Sequence, residues 1–580
     1  LKSSLRILRH MGQVDYIIGN PPWVRIHEIS KPVRERLRDD FRFYKQGSSY
    51  DPRFRRTRTP FKSQQDYSMA FVERGLDLLK PGGVLSFVIT SKILKTTYAG
   101  KLRETVLRET TLLRLIDYSL YPIPLFEDVV NYPLVISVKK SVPPMDHRVH
   151  VTLYNTTGQS RDFHIVQGEL PIDRRNLMSP WIIASESVIQ VFRKLQSRGV
   201  RLGDIYEIMR GVMTSANDLF IIHRIRNCSN GIARVVLENG EEIEIEEWLI
   251  HPMVRGEDID PFMYRVNYYI IFPHDPQTME PLWDPVQHQI LAMLGLLSTG
   301  WRVKASGNVL VYESGDKSAC RQALQRISYF NRGGWTFRQV TPCRVQACIE
   351  VGRNNSTLKI NVESSSSRCK VYVEGLQIPG APYATRHFIS NLERLVGRND
   401  YKVNLPPWSI FRVSRKKFQE YRIAWQENTR FFEATHLGVQ SDTSICLNQA
   451  RRLVVPIQTV YFISEKDMCV SLIMMAYLNS SLVRSLMKLI AWSARGGYFR
   501  HISYTVGHLP LPSLEYMNSL CDMLTATQGD DLNNIARDII DEVERVVMKL
   551  LDVNSDEYEE VVSFGTWLNE ILSNSHENKV

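Results

Sequence analysis

Over the first 140 residues, apolar and polar positions alternate in a way that predicts strands separated by helices. Val14-Asp15-Tyr16-Ile17-Ile18-Gly19 is a short apolar run closed by glycine, the pattern of a buried strand that delivers a loop at its C-terminal end. Over 66–79 the apolar residues Met69, Phe71, Val72, Leu76 and Leu79 recur at near-helical spacing, and Pro81-Gly82-Gly83 is expected to stop that helix. Further strands are predicted over 84–89, 113–116 and 134–138, with a helix over 101–108. Such alternation packs helices on a mostly parallel sheet, an α/β fold whose ligands sit beyond the C-terminal ends of the strands. Asn20 stands at such an end.

From about residue 200 the strands become shorter and turns more frequent, so a boundary is expected over 180–185. The stretch 298–405 is rich in Ser, Gly, Cys and Arg and is expected to form an inserted β-rich segment. Ile535, Ile539, Ile540, Val543, Val546, Val547 and Leu550 predict an amphipathic helix near the end of the chain. At 580 residues the chain exceeds what one core holds. The expected units are 1–185, 186–515 and a helical segment over 516–580.

Composition narrows the class only slightly. Apolar residues at 43% and charged residues at 23% are those of an ordinary globular protein. With no run of 18 or more apolar residues and no signal-peptide order at the start, a cytoplasmic protein is expected. The eight cysteines include no CxxC pair, so reduced thiols and no zinc are expected. The formal charge of +10 favours a polyanionic partner. Its distribution is more telling: arginines and lysines crowd the stretch 25–62, interleaved with Phe41, Phe43, Tyr44, Tyr50 and Phe54, whereas the stretch beyond 515 is acidic.

Asn20-Pro21-Pro22-Trp23, directly after the first strand, is the sharpest chemical signal. Exocyclic amines of adenine and cytosine are weak nucleophiles because the nitrogen lone pair is delocalised into the ring. A catalyst for their methylation must hold the amino hydrogens with acceptors and keep the base still. An Asn side-chain oxygen and a proline carbonyl are two acceptors in a loop stiffened by consecutive prolines. Trp23 offers a flat face for an extruded base.

The chain here resembles the gamma-class amino-methyltransferases of type IIG restriction-modification and related phage-exclusion systems. The resemblance rests on Asp15 to Trp23, on Asp66-Tyr67-Ser68-Met69-Ala70-Phe71-Val72-Glu73-Arg74 with Pro81-Gly82-Gly83, on Phe87-Val88-Ile89-Thr90-Ser91-Lys92, and on Leu125-Phe126-Glu127-Asp128-Val129-Val130-Asn131-Tyr132-Pro133-Leu134. Later segments resemble the family's target-recognition domain: Arg210-Gly211-Val212, Arg255-Gly256-Glu257-Asp258-Ile259, the stretch 408–425, Tyr477-Leu478-Asn479-Ser480, Gly496-Gly497-Tyr498-Phe499-Arg500 and Leu509-Pro510-Leu511-Pro512. The resemblance implies a partial Rossmann-like methyltransferase sheet followed by an α/β target-recognition domain. It further implies sequence-specific methylation of adenine N6 in double-stranded DNA, with S-adenosylmethionine as donor. Asn20, Pro21, Pro22 and Trp23 would be catalytic, and Tyr132 would form a second wall of the base pocket.

The family's glycine-rich donor loop should precede the Asn20 loop by many tens of residues, and only 19 residues precede it here. The expectation is a truncated or split product whose cofactor site lies on a missing or separate N-terminal segment, and which is inactive alone. Arg25, Arg55 and Arg56 are candidates for phosphate contact, and Arg210, Arg255 and Arg495 for phosphate or base edges. Glu73 and Asp77 read equally well as an acid pair or as a solvated helix face, and His251 and His274 read as structural. No P-D…E-x-K nuclease pattern stands out, so DNA cleavage is not expected. Two other classes fit the same loop: a catalytically dead DNA-binding specificity module, and a methyltransferase for protein glutamine. Cytosine-N4 methylation is a further variant of the first reading.

Overall fold

The structure, a computed structural model, describes residues 13–24, 28–45, 47–50, 65–126, 132–331, 335–340, 345, 347–354, 356–364, 368–418, 421–441, 451–513, 521 and 532–570. It is a mixed α/β protein with several sheets. The first elements are β1 (Val14–Gly19), α1 (Lys31–Asp40), α2 (Ser68–Leu78), β2 (Leu79–Thr90), α3 (Gly100–Glu109), β3 (Thr111–Asp117), β4 (Pro133–Lys139), β5 (Arg148–Tyr154) and β6 (Ser160–Val166). They form a six-stranded sheet in the order β1-β2-β4-β3-β5-β6.

The expectation of a mostly parallel sheet needs correcting. β1 with β2 and β3 with β5 are parallel, whereas β4 is antiparallel to both its neighbours and β6 to β5. The reason lies in the connections. A parallel return needs a crossover element, which α3 provides between β2 and β3; no helix among the described residues joins β3 to β4, and that strand returns in the opposite sense. β1, β2, β3 and β5 still share one direction, so their C-terminal ends line one edge of the sheet.

Pro81-Gly82-Gly83 does not separate α2 from its strand. β2 starts at Leu79, and the register passes from Val14 opposite Leu79 to Tyr16 opposite Val84, so the Pro-Gly-Gly run is a bulge within it. Proline is tolerated at a bulge, where a ladder hydrogen bond is already missing. A Cβ on Gly83 would stand 2.9 Å from the Asp15 carbonyl oxygen, so the residue is fixed by close approach of two backbones.

The cores do not follow the linear order of the chain. One contains residues of this sheet and of α4 (Glu186–Arg198) together with Trp425, Phe432, α5 (Met468–Asn479), α6 (Ser481–Ile490) and α7 (Ser555–Leu568). α5 is buried from Val470 through Asn479, which explains why it is apolar on all sides. The C-terminal helices therefore complete the first core. The second core spans residues from Val212 to Ile410, with Val455 and Ile457. The expected β-rich stretch is there a six-stranded antiparallel sheet running Arg302–Ser306, Val309–Ser314, Cys369–Glu374, Ser356–Ser364, Ala347–Arg353 and Thr336–Gln339. It shares apolar contacts with the strands before it.

The expectation of reduced thiols is also corrected. Cys320 is bonded to Cys369 and Cys469 to Cys521, with Cα separations of 5.4 and 5.7 Å. Partners 49 and 52 residues apart leave no local spacing signal.

Candidate functional site

β1 delivers the Asn20-Pro21-Pro22-Trp23 loop to the C-terminal edge of the sheet. Asn20 and Pro22 are exposed, Pro21 is buried and Trp23 is half-buried. The Trp23 indole N–H donates to the Val88 carbonyl of β2 at 3.2 Å. One residue on, the Val24 carbonyl accepts the Tyr67 amide at 2.9 Å, which ties the loop to the start of α2. That start is itself fixed, because the Asp66 carboxylate accepts the Ser68 amide at 2.9 Å and the Asp66 carbonyl accepts the buried Tyr44 hydroxyl at 2.7 Å. A stiff loop thus presents an exposed amide to solvent.

Beside it stands Phe126, with its ring centroid 5.5 Å from that of Trp23 and the planes 85° apart. It is 37% exposed. Tyr132, expected as the second wall, accepts the Gly496 amide with its hydroxyl at 3.1 Å and the Ser91 amide with its carbonyl at 2.9 Å. This contact brings the turn Arg495–Gly497 to the first sheet, in the hairpin formed by Trp492–Ala494 and Tyr498–Arg500.

The remaining basic candidates divide. Arg25, Arg55 and Arg56, and the side chain of Arg495, lie outside the described residues. Arg210 donates to the buried Glu427 carboxylate at 2.7 Å and to the Gln458 carbonyl at 2.6 Å, and Arg500 pairs with the other oxygen of Glu427. Arg255 pairs with Glu238 at 2.6 Å and lies 3.9 Å from the Tyr268 ring centroid. Both arginines commit donors inside the protein. In the basic stretch, Phe43, Tyr44 and Tyr50 are buried core rings, so its aromatics there do not face a ligand.

Glu73 is not a solvated acid. Its carboxylate accepts the Arg42 and Phe43 amides at 2.8 and 3.0 Å, and burial raises its pKa above the usual range. Asp77 is exposed and pairs with Arg74 at 3.6 Å. His251 bonds to the Leu453 carbonyl at 3.3 Å, and His274 to the Met279 carbonyl and the Ile410 amide, both at 3.1 Å. Burial pushes each ring down to about 4, as befits structural, neutral imidazoles.

Two groups near the loop's edge of the sheet escaped the sequence reading. Lys95 donates to the Leu489 carbonyl at the end of α6, and burial pushes its amine down to about 7. Asp117, at the end of β3, is pushed up to about 6 by burial although it accepts the Ser119 amide at 2.9 Å. Nothing local in the sequence marks Lys95, whose contact with the end of α6 joins positions nearly 400 residues apart.

Residues 4–123 match the family of the Eco57I restriction-modification methylase. The chain is also similar to the Type II methyltransferase M.PaeR7I of Pseudomonas aeruginosa, 26% identical over 222 residues, which are 36% of this chain and 35% of that protein. It is 22% identical over 271 residues to the Type II restriction enzyme and methyltransferase RM.Eco57I of Escherichia coli, covering 45% of this chain and 25% of the relative. The matches thus span a quarter to about a third of these relatives. Among solved structures, the Type IIL restriction-modification enzyme MmeI in complex with DNA aligns with 95% of this chain and 56% of its own, at a TM-score of 0.45 and 9% identity.

Proposed function

We propose that this chain carries the catalytic loop and target-recognition part of an adenine-N6 DNA methyltransferase of a restriction-modification or phage-defence system. The observation that carries the reading is the anchored Asn20-Pro21-Pro22-Trp23 loop at the C-terminal edge of a twisted sheet, inside the stretch that matches the methylase family. Adenine, flipped out of double-stranded DNA, stacks on Trp23, and Phe126 rather than Tyr132 supplies the second apolar wall. The Asn20 side-chain oxygen and the Pro21 carbonyl accept the two N6 hydrogens, which draws the nitrogen lone pair out of conjugation and towards the donor. Because Trp23, Val24 and Asp66 are held by β2 and α2, orientation costs little at the moment of reaction.

Gly82 and Gly83 sit in the β2 bulge and Gly496 and Gly497 in a hairpin turn, none at a junction where a strand opens into a helix. β1 is the edge of its sheet, with Tyr16 76% and Ile18 86% exposed. An exposed apolar edge strand of this kind is open to pairing with a further strand.

The test is methylation of duplex DNA by the full-length gene product with methyl-labelled S-adenosylmethionine, followed by digestion to nucleosides. Label in N6-methyladenine is expected, and Asn20→Ala abolishes it. Label in N4-methylcytosine would correct the base. Label in protein glutamine, or duplex binding with no label in DNA, would replace the reading with one of the other two classes.

A further inference from the structure

One group of cations in the second core is used by nothing described above. A cavity of about 450 Å³ opens between residues 274–281 and 400–415. Lys402, Arg412 and Arg415 line it, and Lys416 follows directly. All four are exposed, and none forms an ion pair with a carboxylate among the described residues. Arg226 and Arg234, by contrast, both reach Glu242, at 3.2 and 3.0 Å. Two carboxylates, Glu280 and Asp400, share the cavity wall, and Asp400 already accepts the Ser215 hydroxyl at 3.2 Å. The local balance stays positive.

The backbone is built to present these side chains. Arg412 has φ +64°, a left-handed conformation that a long side chain rarely adopts. It is held there by the bridge just before it, in which Met213 and Phe411 exchange amide bonds of 3.0 and 2.8 Å. The 3-10 turn Arg415–Phe418 then fans its first side chains outward, about a third of a turn apart. Lys417, on the same turn, points inward and donates to the Arg210 carbonyl at 2.9 Å. Arg210 and Arg500 share Glu427, and the hairpin carrying Arg500 bonds Tyr132 through Gly496. Polar contacts, with short stretches of chain between them, thus link this turn to the start of β4.

We propose that Lys402, Arg412, Arg415 and Lys416 form a clamp for the phosphodiester backbone of double-stranded DNA. The assignment rests on the reading above that duplex DNA is the substrate. Arg412, Arg415 and Lys416 fall within five consecutive residues and Lys402 lines the same cavity, a concentration of positive charge that suits a phosphate backbone. Cations without local counter-charges gain most from phosphate, since neutralising it releases condensed counterions, and such contacts hold the duplex without reading its sequence.

Fluorescence anisotropy of the full chain with labelled duplexes, titrated between about 50 and 200 mM salt, tests this. In the triple variant Arg412→Asn, Arg415→Gln, Lys416→Gln, the slope of log affinity against log salt is expected to flatten by about 0.9 for each phosphate contact removed. The loss is expected to be equal on duplexes of different sequence. The charge-retaining pair Arg415→Lys with Lys416→Arg keeps the wild-type slope. If the triple variant does not fold, Lys402→Gln and Arg415→Gln alone each show one step of that change. An unchanged slope, or a loss confined to one sequence, overturns the clamp while leaving the methyltransferase reading intact. Failure of the wild-type chain to bind any duplex at low salt overturns both.

Discussion

Trp23 is half-buried and makes one side-chain hydrogen bond, to Val88, so its ring is available for work beyond packing. Stacking of a base on an aromatic ring contributes about 1–3 kcal/mol. Trp23→Ala in the full-length enzyme is therefore expected to lower kcat/KM for duplex methylation roughly 5- to 150-fold, by the usual factor of ten per 1.4 kcal/mol. Trp23→Phe restores most of it. Steady-state methylation, with 2-aminopurine at the target position to report extrusion, checks this, and equal activity of Trp23→Ala and wild type sinks the stacking role. The residue stood out in the sequence because it closes the four-residue Asn20-Pro21-Pro22-Trp23 motif. Phe126 did not, since its place beside Trp23 depends on the segment after β3 meeting the end of β1, about a hundred positions away. Arg210 and Arg255 show the opposite limit: a sequence displays the guanidinium but not the Glu427 or Glu238 that occupies it.

At the scale of the element, periodicity located α2, β2, α3, β3 and β4 within a few positions, because each buries residues in the same core, and it placed β1 but misread it as buried, since β1 is an edge strand with Tyr16 and Ile18 exposed. It failed on direction and on irregularity. The reversal of β4 is set by the connection before it, and the Pro-Gly-Gly bulge reads as a helix stop until β1 is seen pairing across it. That bulge predicts its own sensitivity. A methyl group on Gly83 would meet the Asp15 and Lys80 carbonyl oxygens at 2.9 and 3.1 Å, both backbone, so β1 must shift. Gly83→Ala is expected to cost about 1–3 kcal/mol of stability in urea denaturation. Gly168→Ala, where the added atom meets nothing within 4 Å, is expected to be near neutral. Because β1 also aims Asn20, kcat should fall in the Gly83 variant even where it remains folded. A Gly83→Ala protein as stable and as active as wild type would show that the two strands are not in close register there.

For the whole molecule, the decisive fact is that the chain leaves the first core, builds the second over residues 212–410, and returns. Linear boundaries cannot express this, because contacts between residues 37–206 and 423–568 carry no mark in composition. His274 offers a probe of the second core alone. Its neutral ring fits two bonds at once, with Nδ1–H donating to the Met279 carbonyl and Nε2 accepting the Ile410 amide. A second ring proton would face that amide hydrogen, and burial already pushes the pKa down to about 4. The ordinary value is 6.5. Between those two pH values the unfolded chain binds the proton and the folded chain does not, so this group's contribution to stability falls as pH falls, by about 1.4 kcal/mol per pH unit. The gap in unfolding free energy between wild type and His274→Gln should therefore be widest near neutrality and should narrow steadily down to about pH 4. Ile410 lies two residues before Arg412, on the same cavity wall, so the loss should report first in probes placed near the basic strip. A gap that stays constant from neutrality to pH 4 would mean that the ring is protonated in the folded chain and that the Ile410 amide bond is absent.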